Sequence, residues 1–125
     1  MSGTYRDLKV WQSAMELTTA IYRVTQKFPR HEIYGLASQL QRASVSVASN
    51  IAEGKGRGSD KELVQFLNRA RGSLFEVETQ VEIAQSLTYI TGAELKALSL
   101  QTQLVGKMLN GMIAKIRQTI ESAAA

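Results

Sequence analysis

Apolar residues recur at steps of four and three along almost the whole chain, and that spacing admits one kind of secondary structure. Val10, Ala14, Leu17, Ile21, Val24 and Phe28 form a first row, and Ile33, Ala37, Leu40, Ser44, Val47 and Ile51 a second. Leu63, Leu67, Ala70, Leu74, Val77, Val81 and Ala84 form a third, and Leu95, Leu98, Thr102, Val105, Leu109, Met112 and Ile116 a fourth. Such steps hold one side of a 3.6-residue helix toward one partner. The alternation of a strand occurs only in Ser44–Ala48, inside the longer second row. The pattern predicts an all-α protein.

The breaks between rows agree. Pro29 has no backbone N–H to donate and disfavours helical geometry at Phe28. Gly54-Lys55-Gly56-Arg57-Gly58 separates rows two and three. Ser59-Asp60-Lys61-Glu62 and Thr91-Gly92-Ala93-Glu94 read as capping boxes that open helices three and four. Helices are predicted at about 7–27, 31–54, 60–89 and 92–120, in one domain spanning 1–125. Short links between long helices make chain neighbours antiparallel, so the predicted architecture is an up-down-up-down four-helix bundle. Ala123-Ala124-Ala125 reads as a frayed end.

The apolar rows are wider than one bundle needs. Trp11, Met15 and Tyr22 flank the first row, with Leu8 beside them. Leu100, Leu104 and Met108 flank the fourth, as do Ile113 and Ile120. Excess apolar surface points to an interface, here between copies of the chain. Trp11, Met15, Tyr22, Leu100, Leu104 and Met108 are the candidate contacts of a homo-oligomer. Gly72, Gly106 and Gly111 interrupt helices at about 1 kcal/mol each relative to Ala, which close helix approach would explain. A wide core with incidental glycines is the plainer alternative.

Enzymatic and metal chemistry lack their parts. With no Cys and only His31, the chain cannot supply the paired Glu-x-x-His ligands of metal-binding bundles. Nor does His31 assemble a nucleophile triad. The glycine run is not a phosphate-binding G-x-x-x-x-G-K-[ST] loop. Glu78 and Glu82 read as a solvated face rather than ligands. The expectation is a non-enzyme with no cofactor and no metal. The uncharged run Ala43–Ala52 is too short to span a bilayer, and Met1–Asp7 lacks a signal sequence's apolar region. A soluble cytoplasmic protein with no membrane partner is therefore expected.

Sorting charges by bundle end separates them. The half that holds the glycine run has eleven of the 15 Lys and Arg residues and six of the 11 acids. Side-by-side association of copies would concentrate that surplus into a field able to attract a polyanion. Arg42, Lys55, Arg57, Lys61, Arg69 and Arg71 are the candidate phosphate contacts. Helical spacing points Arg69 and Arg71 in different directions, so one surface can use only one of them fully. Lys55 and Arg57 precede a helix N-terminus, whose free N–H groups favour an anion; a turn with solvated cations is the alternative. Asn50 sits at the edge of the buried row. It is read as a structural polar residue bonding a neighbouring helix or the Lys55–Ser59 turn.

Several spaced motifs then carry a resemblance. They are Asp7-Leu8-Lys9-Val10-Trp11-Gln12, Phe28-Pro29 with Tyr34-Gly35-Leu36, Ser49-Asn50-Ile51-Ala52-Glu53-Gly54 with Arg57 and Ser59, and Gly72-Ser73-Leu74. Together they resemble the bacterial four-helix proteins encoded in intervening sequences of 23S ribosomal RNA genes, also labelled S23 ribosomal proteins. The resemblance covers roughly residues 5–90 by motif and the last helix by pattern. It implies a left-handed bundle that forms a ring-like homopentamer. It also implies kinship with the accessory variability protein of diversity-generating retroelements, which works with a reverse transcriptase and nucleic acid. Many members carry a double arginine where this chain has Gln41-Arg42.

The functional expectation is a nucleic-acid-binding oligomer that recognises structured RNA, or DNA, by shape and charge rather than by base stacking. The alternatives are a protein-interaction scaffold, such as an accessory subunit for a polymerase-like partner, and a bundle that holds a small molecule or metal.

Overall fold

The computed structural model describes residues 3–124. Met1, Ser2 and Ala125 of the expected domain lie outside the described residues. Four helices follow one another: α1 (Lys9–Thr25), α2 (Leu36–Gly56), α3 (Asp60–Ser86) and α4 (Gly92–Ala124). Single 3-10 turns at Tyr5–Asp7 and Arg30–Glu32 precede α1 and α2. Each helix packs on its chain neighbours and α4 closes against α1, while the backbones of the diagonal pairs stay farther apart. The fold is an all-α four-helix bundle in the up-down-up-down order.

The heptad rows supply its core. Leu17, Ile21, Leu40, Val47, Ile51, Leu67, Leu74, Val77, Val81, Val105 and Leu109 are fully buried. Burying such a side chain contributes about 1.5–3 kcal/mol relative to leaving it in water. Two expectations are corrected here. Ile113, placed outside the fourth row, is buried in the core. Ile33, placed in the second row, is exposed, because the chain turns at Arg30–Gly35 and α2 begins only at Leu36.

The helix ends follow local chemistry. Thr4 and Asp7 form a reciprocal capping box on the first 3-10 turn. At α4 the expected box is complete: Thr91 N donates to Glu94 Oε1 at 2.9 Å and Glu94 N to Thr91 Oγ1 at 3.0 Å. At α3, Ser59 Oγ accepts from Glu62 N at 3.2 Å. Helix α3 stops three residues before the predicted end. Tyr89 N bonds Ala84 O and Thr88 N bonds Gln85 O, which turns the chain out of the helix with Thr88 at φ 63°. The C-terminal alanines, expected to fray, continue α4 to Ala124.

Polar groups within the bundle are paired across helices. Thr18 Oγ1 donates to Ser44 O at 3.0 Å, joining α1 to α2. Gln41 Nε2 donates to Thr25 Oγ1, also at 3.0 Å. The hydroxyls of Ser46 and Ser73 join α2 to α3 at 2.8 Å. Seven residues along each helix, Gln80 Nε2 meets Gln39 Oε1 at 3.5 Å, leaving the buried Gln80 Oε1 without a partner.

Candidate functional site

The α2–α3 connection gathers most of the candidate cations. Helix α2 takes in Lys55 and Gly56, so the glycine run contracts to a turn of Arg57, Gly58 and Ser59, with Gly58 at φ 79°. Gly54 is buried where α2 crosses α3. A Cβ there would lie 3.1 Å from Leu63 Cδ1 and closer still to Phe66, so only glycine admits this approach. The crossing brings Arg57 alongside Phe66 of α3.

Phe66 is the organising side chain, and its role was not read from the sequence. The Arg57 guanidinium carbon lies 4.9 Å from its ring centroid, and that of Arg69, three residues on, lies 4.6 Å away. Arg57 Nη2 also donates to Glu53 Oε2 at 2.8 Å, one turn back on α2. Lys55, Lys61, Arg69 and Arg42 are exposed and make no ion pair among the described residues. Asp60 and Glu62 occupy the first turn of α3. They and the Ser59 cap answer the helix dipole, so the cations, rather than the helix N-terminus, are what this end offers an anion.

Arg69 and Arg71 diverge as their spacing requires. Arg71 Nη1 bonds Asn110 Oδ1 of α4 at 2.9 Å and its Nη2 bonds Asn68 Oδ1 at 2.8 Å. Both ends of its planar fork are engaged, one across to α4 and the other within α3. Asn50 Nδ2 donates to Ser46 O at 2.8 Å and to Ser46 Oγ at 3.0 Å. It therefore bonds within α2 and reaches α3 only through the Ser46–Ser73 pair, and does not bond the Lys55–Ser59 turn.

The candidate oligomer contacts divide in two. Met15, Tyr22, Leu100 and Leu104 are exposed, Leu100 at 60%. They project from α1 and α4, whose Met15, Thr19, Arg23 and Gln101 line one shallow groove. Trp11 and Met108 instead pack against the core, and Trp11 meets Tyr5 edge-on with centroids 5.1 Å apart. On the opposite side of the bundle, Phe75 and Ile83 are exposed beside Leu36 and Gly72 in a groove between α2 and α3. The sequence signal for this second row is the step Gly72, Phe75, Thr79, Ile83 on α3. Gly72 and Gly111 face open space, and a Cβ on Gly106 would make ordinary contact with Leu74 at 3.4 Å, so none of the three marks a tight approach within the bundle.

The far end is tied by neutralised charge. Glu32 Oε1 accepts from Leu36 N at 2.9 Å and so caps α2, while its Oε2 accepts from Tyr89 OH at 2.8 Å. The bond from Leu36 N, then that from Tyr89, lowers the Glu32 pKa, and the same carboxylate raises that of Tyr89. Lys27, just past α1, pairs with Glu94 of α4. His31 Nε2 lies 3.9 Å from Glu32 Oε2. Among the described residues no three His, Cys, Asp or Glu side chains cluster as metal ligands, and no helix is long and apolar enough to cross a membrane.

Comparison with known proteins places the fold. It is similar to the crystal structure of a protein of unknown function from the S23 ribosomal protein family of Bacteroides thetaiotaomicron VPI-5482. The TM-score is 0.78 at 21% identity, covering 84% of this chain and 95% of that one. None of the curated proteins matches the chain. The model of a family described as 23S rRNA-intervening sequence protein matches residues 6–111, almost the whole bundle, and the chain belongs to that family.

Proposed function

We propose that this protein is a non-enzymatic, cytoplasmic homo-oligomer that binds structured RNA through the pole formed by the α2–α3 turn. The observation that carries this reading is the exposed set Lys55, Arg57, Lys61 and Arg69 around that turn, only Arg57 of which has an acidic partner among the described residues. Arg42, also exposed, lies near the start of α2, about four turns before Arg57, and stands apart from this pole. Family membership supports a setting in ribosomal RNA genes. One protomer's surplus of charge is small, so the reading requires several copies side by side with their turns facing one way. The exposed Met15, Tyr22, Leu100 and Leu104 supply a surface for that association, and the family resemblance supplies a pentamer as its size.

Binding of ribosomal RNA fragments, measured from low to moderate salt, tests the reading. The expected result is strong binding at low salt that falls steeply as salt rises, because neutralised phosphates release counterions. Weak binding at low salt would overturn it. DNA hairpins in the same series report whether the sugar matters.

The exposed Phe75 and Ile83 favour a second reading, in which the α2–α3 groove takes a protein partner such as a polymerase-like subunit. Recovery of one defined protein after nuclease treatment, lost on Phe75→Ala, supports that reading.

A further inference from the structure

Two guanidinium groups converge on the one ring of Phe66, with their carbons 4.9 and 4.6 Å from its centroid. A guanidinium set over an aromatic ring is held by the ring's quadrupole, and its N–H donors lie in its own plane. Stacking therefore fixes each cation without using up its hydrogen bonds. The ring itself is 6% exposed, so it has no free face for a nucleobase. Two like charges set against one ring repel, and an anion that reaches both relieves that repulsion. Among the described residues one carboxylate, Glu53, pairs with either guanidinium, and it bonds Arg57 alone. Arg69 has neither a hydrogen bond nor an ion pair among the described residues.

We infer that Arg57 and Arg69, positioned by Phe66, form a two-armed grip for one backbone phosphodiester of a nucleic acid, and that Glu53 is the internal competitor which the phosphate displaces from Arg57. This rests on the nucleic-acid reading above and names the group that is held. A phosphodiester suits the pair because its two free oxygens can each accept from one planar fork, and arginine matches that geometry better than lysine. Glu53 and Arg57 are both substantially exposed, so their ion pair is weak and an incoming phosphate can exchange with the carboxylate. Exposed Lys55 and Lys61 flank the pair and would meet neighbouring phosphates.

The test is an anisotropy titration with labelled RNA and DNA hairpins of one sequence over a salt series. Arg57→Ala and Arg69→Ala are each expected to weaken binding about fivefold or more and to reduce the salt slope by about one phosphate. Glu53→Gln is expected to tighten binding several-fold. Arg57→Lys with Arg69→Lys keeps both charges but loses the forks, so affinity should fall while the slope holds. Phe66→Leu should behave like the lysine pair, provided circular dichroism shows a native helix content; the lysine pair carries the same test if it does not.

Arginine variants that bind as the unaltered protein does, or a Glu53→Gln variant no tighter than it, overturn the grip and leave the broader reading standing. A loss confined to the RNA or the DNA arm overturns a phosphodiester as the group held. Failure of the unaltered protein to bind either hairpin at low salt overturns both.

Discussion

A Cβ placed on Gly54 would sit 2.7 Å from the Cβ of Phe66. Neither atom belongs to the free end of a flexible side chain, so relief requires the helices to part. Alanine would gain about 1 kcal/mol of helix propensity, but overpacking costs about 1–3 kcal/mol. Gly54→Ala is expected to lower stability by roughly 1 kcal/mol in urea unfolding. Because the strain falls on Phe66, the same variant should also weaken RNA binding without any change of charge.

Thr88 occupies a backbone conformation that glycine adopts freely, at φ 63°. The left-handed region costs an L-residue about 1–2 kcal/mol, partly offset for glycine by its greater freedom when unfolded. Thr88→Gly is expected to raise stability by about 0.5–1 kcal/mol, read as a higher melting temperature.

Glu32 joins the start of α2 to the α3–α4 connection, and its pKa is lowered below the ordinary 4.5. Just below that pH the unfolded chain binds more protons than the folded one, so acid favours unfolding. Its contribution is complete above pH 4.5 and is lost as pH falls through the lowered folded value. Tyr89 has the opposite sign. Its pKa is raised above 10.0, so its contribution is complete below pH 10.0 and is lost as pH rises through the folded value. Glu32→Gln should lower the melting temperature at neutral pH and flatten the acid limb in part. Glu94, whose pKa is lowered by Lys27 and by the Thr91 backbone bond, adds to the same acid limb.

Arg71 and Arg69 should separate under mutation. Arg71→Ala breaks the links to Asn68 and Asn110 and is expected to cost about 1 kcal/mol of stability. It should change RNA affinity less than Arg69→Ala does. A larger binding loss for Arg71→Ala would reassign the interface to the α3–α4 side.

The exposed leucines of α4 bear on assembly. Leu100→Asp with Leu104→Asp leaves the core intact and should reduce the sedimenting species to a single chain, with helix content preserved. Salt-sensitive RNA binding should fall with it. Persistence of the assembly would move the interface to the Phe75 side.

Much of the fold was legible because heptad spacing reports burial directly. The rows of Leu17, Leu40, Leu74 and Val105 became the core, and Pro29 and the Thr91 box marked real boundaries. Ile33 was misread because periodicity does not reveal that a 3-10 turn at Arg30–Glu32 delays α2. Ile113 was misread because a row followed by strict steps drifts around a straight helix. The cations around the glycine run were visible as a list. Their grouping on Phe66 depends on how closely α2 passes α3, a tertiary distance that spacing along one helix does not encode. Glu32 and Tyr89 are 57 residues apart, and nothing local to either announces the other.

The Ser46–Ser73 hydroxyl pair and the Gln39–Gln80 amide pair stand seven residues apart on both helices, like two rungs of a ladder. Sliding α2 along α3 by a turn would break both rungs together and leave the buried Ser73 hydroxyl without its partner. The pair of helices therefore acts as a single stiff strut, braced at one end by the Gly54 crossing and at the other by the Glu32 clasp. Under the proposed assembly, any change of shape on ligand capture would fall to α1 and α4, the two helices that carry the exposed Met15, Leu100 and Leu104.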